Sequence, residues 1–238
     1  TDLLTVESGL GASGIPHIGS LGDAVRAYGV KLALENLGYK SELIAYSDDL
    51  DGLRKIPEGL DVDEKYIGTR VSKIPDPFEC HDSYGSHMSS LLLDGLDNLG
   101  IKYIHKTAHE TYEKGILNDQ TLKILDEHKK IGDKIEEFQT IRPYFPECHN
   151  CPKLYTTESY DYIKDEKKVL YRCKDSDMGY VPEGVENKDK NKKYFGCGHE
   201  GESIIGKDLG KLAWKVEFAA RWKAFDIRFE AYGKDIMD

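Results

Sequence analysis

Four cysteines in the second half of the sequence have a spacing that suits a metal ion. Cys148 and Cys151 are separated by two residues, and Cys173 and Cys197 follow at longer intervals. A two-residue spacer lets two thiolates face one tetrahedral centre, as in structural zinc sites. The surrounding residues are too polar to build a core of their own, which favours zinc over a chance grouping of reduced core cysteines. His199 is an alternative fourth ligand in place of Cys197.

A second set of metal-ligand side chains lies upstream, within twelve consecutive residues. It consists of a carboxylate, a thiol and two imidazoles, from Asp76, Cys80, His81 and His87. Such a set can satisfy one zinc ion. Cys80 and His81 are adjacent, so both can bind one ion only where the backbone is irregular, and the nearby Pro75 and Pro77 favour irregularity. The spacing alone leaves open an alternative in which one histidine caps a helix.

The third chemically suggestive segment is a glycine-rich loop near the N-terminus. Residues 9–19 contain four glycines, and Ser13 to Ser20 includes Gly14, His17 and Gly19. A loop after the first strand of a parallel sheet lies at the ligand-binding edge, and free N–H groups of the next helix suit phosphate. A histidine there can donate to a phosphate oxygen as charge builds. The alternative is a tight turn with a surface histidine, since the common phosphate-loop patterns are absent.

The elements that must position this loop are predicted by the first fifty residues. Leu3 to Glu7 predicts a buried strand, Ser20 to Leu37 a helix ended by Gly38, and Glu42 to Tyr46 a second strand. Strand, glycine loop, helix and strand together predict one βαβ unit of a parallel sheet. The fold class is therefore α/β.

The rest of the chain predicts an α/β domain interrupted by an insertion. Further elements are expected at about 87–99 (helix), 101–105 (strand), 110–140 (helix), 211–222 (helical or mixed) and 227–232 (strand). Residues 146–205 combine short strand-like runs with the four cysteines, which indicates an inserted zinc ribbon. We therefore divide the chain into 1–145, the first part of the α/β domain with its metal-binding segment, 146–205, the insertion, and 206–238, the return into the α/β domain.

Composition and charge limit the function classes. The chain of 238 residues has a formal net charge of −10, so any RNA contact requires a local basic patch or another part of the protein. Neither a secretory leader nor a membrane span is evident, and an odd count of five cysteines argues against a disulfide framework. We expect a cytoplasmic protein with no membrane contact, and both ends of the sequence suggest a fragment.

Several motifs resemble one enzyme family. His17-Ile18-Gly19-Ser20 matches three of four positions of the His-Ile-Gly-His signature of class I aminoacyl-tRNA synthetases. The wider phrase from Val6 to Gly19 resembles the archaeal-type class I lysyl-tRNA synthetases within that class. Further similar blocks begin at Asp48, Asp76, Trp214 and Gly233, although Ser20, Gly11, Glu217, Phe218 and Ile236 depart from the family pattern.

The resemblance implies the N-terminal catalytic portion of a lysine–tRNA ligase. The implied fold is an incomplete Rossmann-like parallel sheet with an inserted zinc ribbon, and the implied reaction uses ATP and Mg²⁺ to form lysyl-adenylate before transfer to tRNA. His17, Gly19 and Ser20 would be catalytic, and these three would bind ATP together with Ser13 and Gly14. Gly9, Gly11 and Trp214 would contact lysine. The family uses the Asp76–His87 block as a zinc site, so two zinc ions are expected.

The second class I signature, a Lys-Met-Ser-Lys-Ser loop, and the helical anticodon-binding domain do not occur in the sequence. We therefore expect tRNA to be bound mainly by a part of the enzyme outside this chain. Two alternatives remain: another nucleotidyl-transfer enzyme acting on a small acid, and a non-catalytic zinc-ribbon protein that binds RNA or protein.

Overall fold

The structure is a computed structural model that describes residues 3–135, 143–176 and 194–231, without the side chains of 132–135. The predictions for 136–140, for Tyr232 and for the block from Gly233 to Ile236 lie outside the described residues.

Six helices and nine strands are found in the described ranges. The helices are α1 (Ile18–Asn36), α2 (Tyr84–Asn98), α3 (Ala108–Glu113), α4 (Asn118–Asp126), α5 (His128–Ile135) and α6 (Trp214–Ala224). The strands are β1 (Leu3–Leu10), β2 (Lys40–Ser47), β3 (Ile104–Thr107), β4 (Tyr144–Pro146), β5 (Thr157–Ile163), β6 (Lys168–Cys173), β7 (Glu200–Ile204), β8 (Gly210–Leu212) and β9 (Ile227–Ala231).

A four-stranded sheet in the order β3-β2-β1-β9 forms the centre of the fold. All three pairings are parallel, and Leu3 of β1 pairs with Lys40 while Ser8 pairs with Ala231. The chain therefore runs outward from β1 through β2 to β3, and later returns to the opposite side of β1 with β9. Such a reversal of strand order opens a crevice at the carboxyl ends of the strands beside it.

Both faces of this sheet are covered. Alternate residues of a strand point to opposite faces, so Leu43 and Ala45 of β2 pack against α1 and α2, while Ile44 and Tyr46 form a separate cluster on the other face. Phe225, next to the end of α6, joins that second cluster. The two layers leave the carboxyl edge of β1 between α1 and α6.

Specific residues define where α1 ends and where α2 begins. α1 is followed by Gly38, whose φ of 88° is a left-handed conformation that favours glycine. α2 begins at Ser83, whose side chain accepts from the N–H of Ser86 while the Ser86 hydroxyl accepts from the N–H of Ser83. This capping box starts α2 three residues before the predicted position, so that His87 lies inside the helix.

The remaining strands are antiparallel. β4 pairs with β8, and β5, β6 and β7 form a three-stranded sheet. An apolar cluster that includes Leu154, Val169, Leu212 and Val216 joins these strands to α4 and α6. The antiparallel strands therefore share a core with helices α4 and α6, and the proposed domain boundaries stay a prediction.

Other sequence predictions differ from the structure in detail. β1 runs on to Leu10, into the segment predicted as loop, and the strand predicted over 101–105 lies at Ile104–Thr107. The long helical pattern after 110 is divided into α3, α4 and α5. Gly115, with a φ of 68°, breaks it in a left-handed conformation. None of the helices in the described ranges has the length and apolar character needed to cross a membrane.

Candidate nucleotide and metal sites

The glycine loop connects the carboxyl end of β1 to the N-terminus of α1. His17 caps the helix, and its Nδ1 accepts from the N–H of Gly19 at 3.1 Å. A Cβ at Gly19 would lie 2.8 Å from the His17 ring, so this cap requires glycine. The first turn of α1 contains no acidic side chain, so no charge within the helix itself neutralises the positive end of its dipole.

Most residues of this loop are at least partly exposed, and Ala12 is the buried exception. His17 and Gly19 are exposed, and Ser13, Gly14 and Ser20 are partly exposed. A Cβ added at Gly11 or Gly14 would meet nothing within 4 Å, so contacts within the protein do not account for these two glycines. The helix N-terminus and the imidazole can together receive an anionic group.

A buried ion network lies directly beneath the loop. Arg221 of α6 donates to Glu7 of β1 at 2.8 Å and to Glu230 of β9 at 2.8 Å, and to Asp48 after β2 at 3.3 Å. The side chains of Arg221, Glu7 and Glu230 are at most 1% exposed, whereas that of Asp48 is 22% exposed. A Cβ at Gly9 would lie 3.5 Å from Glu230 and 3.7 Å from Asp48, so the network underlies the predicted substrate contact at Gly9.

The network has more carboxylates than cations. Burial raises the pKa of Glu7 to about 8, and Arg221 offsets only part of this effect. Burial also raises the pKa of Asp48 to about 7. Although burial alone would lower the pKa of Arg221, the three carboxylates outweigh it and raise that pKa. The site therefore holds protons near neutral pH and favours positive charge at its open side, where Asp48 reaches solvent.

An aromatic row continues from this network along α6. Trp214, Phe218 and Trp222 are spaced four residues apart, with ring centroids 6.3 Å and 6.0 Å apart. The Arg221 guanidinium lies 4.5 Å from the Phe218 ring and 4.3 Å from the ring of Tyr46. The predicted substrate residue Trp214 thus belongs to the same helix face as the aromatic partner of Arg221.

The carboxylate, thiol and imidazoles predicted as one metal group, hereafter the mixed-donor group, are brought together. The six distances among Oδ2 of Asp76, Sγ of Cys80 and the Nδ1 atoms of His81 and His87 lie between 3.2 and 3.7 Å. The edges of a tetrahedron around zinc, with metal–ligand bonds of 2.0–2.3 Å, measure about 3.3–3.8 Å. The four atoms therefore suit one tetrahedral metal ion.

Asp76 also fixes the irregular backbone that the adjacent ligands require. Its carboxylate accepts from the N–H groups of Phe78, Cys80 and His81 at 3.1, 3.0 and 2.9 Å. These hydrogen bonds outweigh burial and hold the pKa of Asp76 well below its usual value. Glu79 takes a φ of 56°, which turns the chain so that Cys80 and His81 face one point.

The four cysteines also converge, and are called the cysteine group below. Sγ of Cys148 lies 3.7 Å from Cys197, and Sγ of Cys151 lies 3.5 Å from Cys173. These separations exceed the disulfide bond of about 2 Å and match the sulfur–sulfur edge of a zinc tetrathiolate, about 3.8 Å. All four sulfurs lie within 4.8 Å of one another.

Cys197, and not His199, completes the cysteine group. The His199 ring packs near Tyr171, at 6.1 Å between centroids, and is outside the group. Burial alone would raise the pKa of the Cys197 thiol, but hydrogen bonds from Asn150, from the backbone of His199 and from neighbouring thiols lower it to about 6. A thiolate at this position is the form that binds a metal.

A polar cavity of about 260 Å³ is lined by residues of α3 and α4 and of the segments around β4 and before β8. Arg70 and Glu147, both on its wall, form an ion pair at 2.6 Å that joins the segment after β2 to the segment after β4. Lys73 adds a contact to Glu147 at 3.2 Å. These pairs link the segment that follows β2 to the antiparallel strands.

The ion network was not predicted from the sequence. Asp48 begins one of the blocks that resemble the family, but no role was predicted for Glu7, Glu230 or Arg221. One signal was present: Glu7 is a charged residue within a strand otherwise read as buried, and a buried charge requires a partner. The partner could not be found by spacing, because Arg221 lies more than two hundred positions away in the sequence.

The parallel sheet with a reversal of strand order, a glycine loop and a helix N-terminus at its carboxyl edge defines an α/β protein of the nucleotide-binding type. Comparison with known proteins identifies the family. The family model for tRNA synthetases class I (K) matches residues 1–238, and the chain belongs to this family. The resemblance found in the sequence is confirmed, and the α/β fold with its parallel sheet fits the Rossmann-like fold of class I synthetases.

Curated relatives support the same family. The chain is 58% identical to the lysine–tRNA ligase of Cenarchaeum symbiosum (strain A), over all of this chain and 45% of that protein. It is 31% identical to the lysine–tRNA ligase of Halobacterium salinarum over 98% of this chain and 43% of that protein. It is 32% identical to the lysine–tRNA ligase of Archaeoglobus fulgidus over 97% of this chain and 43% of that protein. The chain thus spans less than half the length of these relatives.

Proposed function

We propose that this chain is the N-terminal catalytic portion of a lysine–tRNA ligase that activates lysine with ATP and transfers it to tRNA. The observation that carries the proposal is the free N-terminus of α1 beside the exposed His17, at the carboxyl edge of a parallel sheet. The family supports the same reaction. Transfer to tRNA would depend mainly on the part of the longer relatives that this chain does not span.

The loop is assigned to ATP. Backbone N–H groups near Gly14 and Gly19, with Ser13 and Ser20 beside them, would bind the phosphates. Because Nδ1 of His17 accepts from Gly19, the ring proton lies on Nε2, and this N–H would donate to the phosphate that the lysine carboxylate attacks and so stabilise the developing charge. Mg²⁺, when bound, supplies further neutralisation of that charge. No protein nucleophile is needed, because the reaction depends on positioning and charge stabilisation.

Lysine is assigned to the crevice between the loop and α6. Gly9 and Gly11 would form one wall, and Trp214 would pack on the aliphatic part of the substrate. Asp48 is the one partly exposed carboxyl of the network and lies beside Gly9, so a cationic substrate would pair with it, whereas an anionic amino acid would not. The alternative of a small anionic acid as substrate is less consistent with this charge.

Both metal groups are assigned to zinc. The mixed-donor group would bind one ion and the cysteine group a second, within a zinc ribbon formed by the inserted strands β5, β6 and β7. Four protein ligands leave no open position for chemistry, so both ions would be structural. The division at residues 146–205 follows from this assignment.

The test is ATP–pyrophosphate exchange by the full-length enzyme with each amino acid, in the presence and absence of tRNA. We expect lysine to be the one amino acid that supports exchange. His17→Ala should lower the kcat of this exchange about 100- to 1000-fold, the usual effect of removing one charge-stabilising donor. His128→Ala, at the start of α5, is the matched control and should retain activity. Exchange with glutamate, or none with lysine, would refute the proposal.

A further inference from the structure

The glycine loop is tied to the first turn of α2 by one hydrogen bond. The Tyr84 hydroxyl donates to the backbone carbonyl of Ser13 at 3.1 Å. Tyr84 is fully buried, so its hydroxyl has no water to replace this partner, and an unpaired buried hydroxyl is costly. The bond therefore constrains the position of the loop that precedes the α1 N-terminus.

Apolar packing adds to this constraint. Ala12, next to Ser13, is buried in a cluster with Tyr84, Met88 and Val71. Gly85 lies against Val71 so closely that a Cβ there would be 3.0 Å from a Val71 methyl carbon. The start of α2 and the glycine loop are thus parts of one packed unit.

The same turn of α2 carries a ligand of the mixed-donor group. Tyr84 and His87 are three residues apart and lie one helical turn from each other. The N–H of Tyr84 donates to the carbonyl of Ile74 at 2.8 Å, two residues before Asp76. Movement of His87 or Asp76 therefore displaces Tyr84, and with it the carbonyl of Ser13.

We propose that Tyr84 is a positioning residue through which the mixed-donor metal group sets the conformation of the nucleotide loop, so that metal loading of this group controls ATP affinity. This inference rests on the proposed function only where it names ATP. The coupling between the metal group and the loop follows from the contacts of Tyr84 and Ala12.

The first test replaces Tyr84 with Phe in the full-length enzyme. Loss of one hydrogen bond predicts about a two- to tenfold faster amide exchange in residues 11–19 and a similar rise in the Kd for ATP. Zinc content should stay unchanged. Tyr103→Phe is the control, because Tyr103 is partly buried and its hydroxyl is bonded to Asp97, away from the loop. The inference would be overturned if amide exchange in residues 11–19 were no faster in Tyr84→Phe than in Tyr103→Phe.

The second test asks whether the metal acts through Tyr84. Cys80→Ser removes one ligand of the mixed-donor group. It should speed amide exchange in residues 11–19 in the wild-type background, and it should add little to the exchange rate in the Tyr84→Phe background. Additive effects would overturn the proposed route. If the wild-type enzyme binds no ATP, the proposed function fails, while amide exchange still decides whether the metal group and the loop are coupled.

Discussion

The mixed-donor group and the cysteine group have the same tetrahedral form but different surroundings. The mixed-donor group takes its ligands from one stretch of twelve residues and adjoins the cluster of Ile74, Tyr84 and Met88. The cysteine group joins three separated segments, and the buried apolar cluster around it consists of Tyr171 and the cysteines themselves. The first group is held by its surroundings, whereas the second must hold its surroundings together.

The largest expected difference between the two groups is the loss of protection from amide exchange when a metal ligand is removed. Structural zinc contributes on the order of 10 kcal/mol in small zinc domains, so Cys151→Ser should abolish slow amide exchange in β5–β7. Cys80→Ser should also lose one zinc, but α2 should keep most of its protection because its apolar cluster remains. Metal analysis with hydrogen-exchange mass spectrometry measures both effects. Equal loss of protection in the two variants would contradict the comparison.

The ion network around Arg221 differs from both metal groups, because an arginine side chain and not a metal ion pairs with its buried carboxylates. Arg221→Met should destabilise the protein by about 3–5 kcal/mol, because three carboxylates lose their common partner. Arg228→Met, which removes an exposed ion pair with Asp226, should cost under about 1 kcal/mol. Urea unfolding of the two variants measures the difference. A cost for Arg221→Met as small as that for Arg228→Met would show that the network is not held by its cation.

The same network should respond to pH through its buried carboxyl groups. The folded pKa of Glu7, about 8, exceeds the ordinary glutamate value of 4.5, so the folded state binds more protons between these values. Stability therefore falls as pH rises through this window, by up to about 1.4 kcal/mol per pH unit for one carboxyl. Glu7→Gln should gain stability relative to the wild type from pH 5 to pH 8. Urea unfolding measures the difference in free energy of unfolding between Glu7→Gln and the wild type. If this difference is the same at pH 5 and at pH 8, the raised pKa is contradicted.

The smallest expected effect concerns the fourth ligand of the cysteine group. His199→Ala should retain zinc in this group, because the His199 ring packs on Tyr171 outside it. Cys197→Ser should lose that ion. Zinc content per chain decides between them, and loss of zinc in His199→Ala would restore the alternative ligand set.

The sequence predicted what depends on short spacing. The mixed-donor group, the Cys148–Cys151 pair and the first βαβ unit are all encoded within segments of a few to fifty residues. Ligand chemistry and the repeat of apolar residues are properties of neighbouring positions, so no knowledge of the sheet is needed to recognise them. The predicted start of α2 was wrong by three residues because its capping box uses Ser86 in place of the usual Glu or Gln.

Tertiary structure alone decided which distant residues meet. Arg221 reaches Glu7 only because β9 returns beside β1, and Tyr84 reaches Ser13 only because α2 packs on the same face as α1. A strand has the same local pattern in any position of a sheet, so its neighbours follow from the order in which strands assemble. The sequence thus determined the chemical groups and their local geometry, and the fold determined that the first turn of α2 and a buried ion network both lie against the glycine loop.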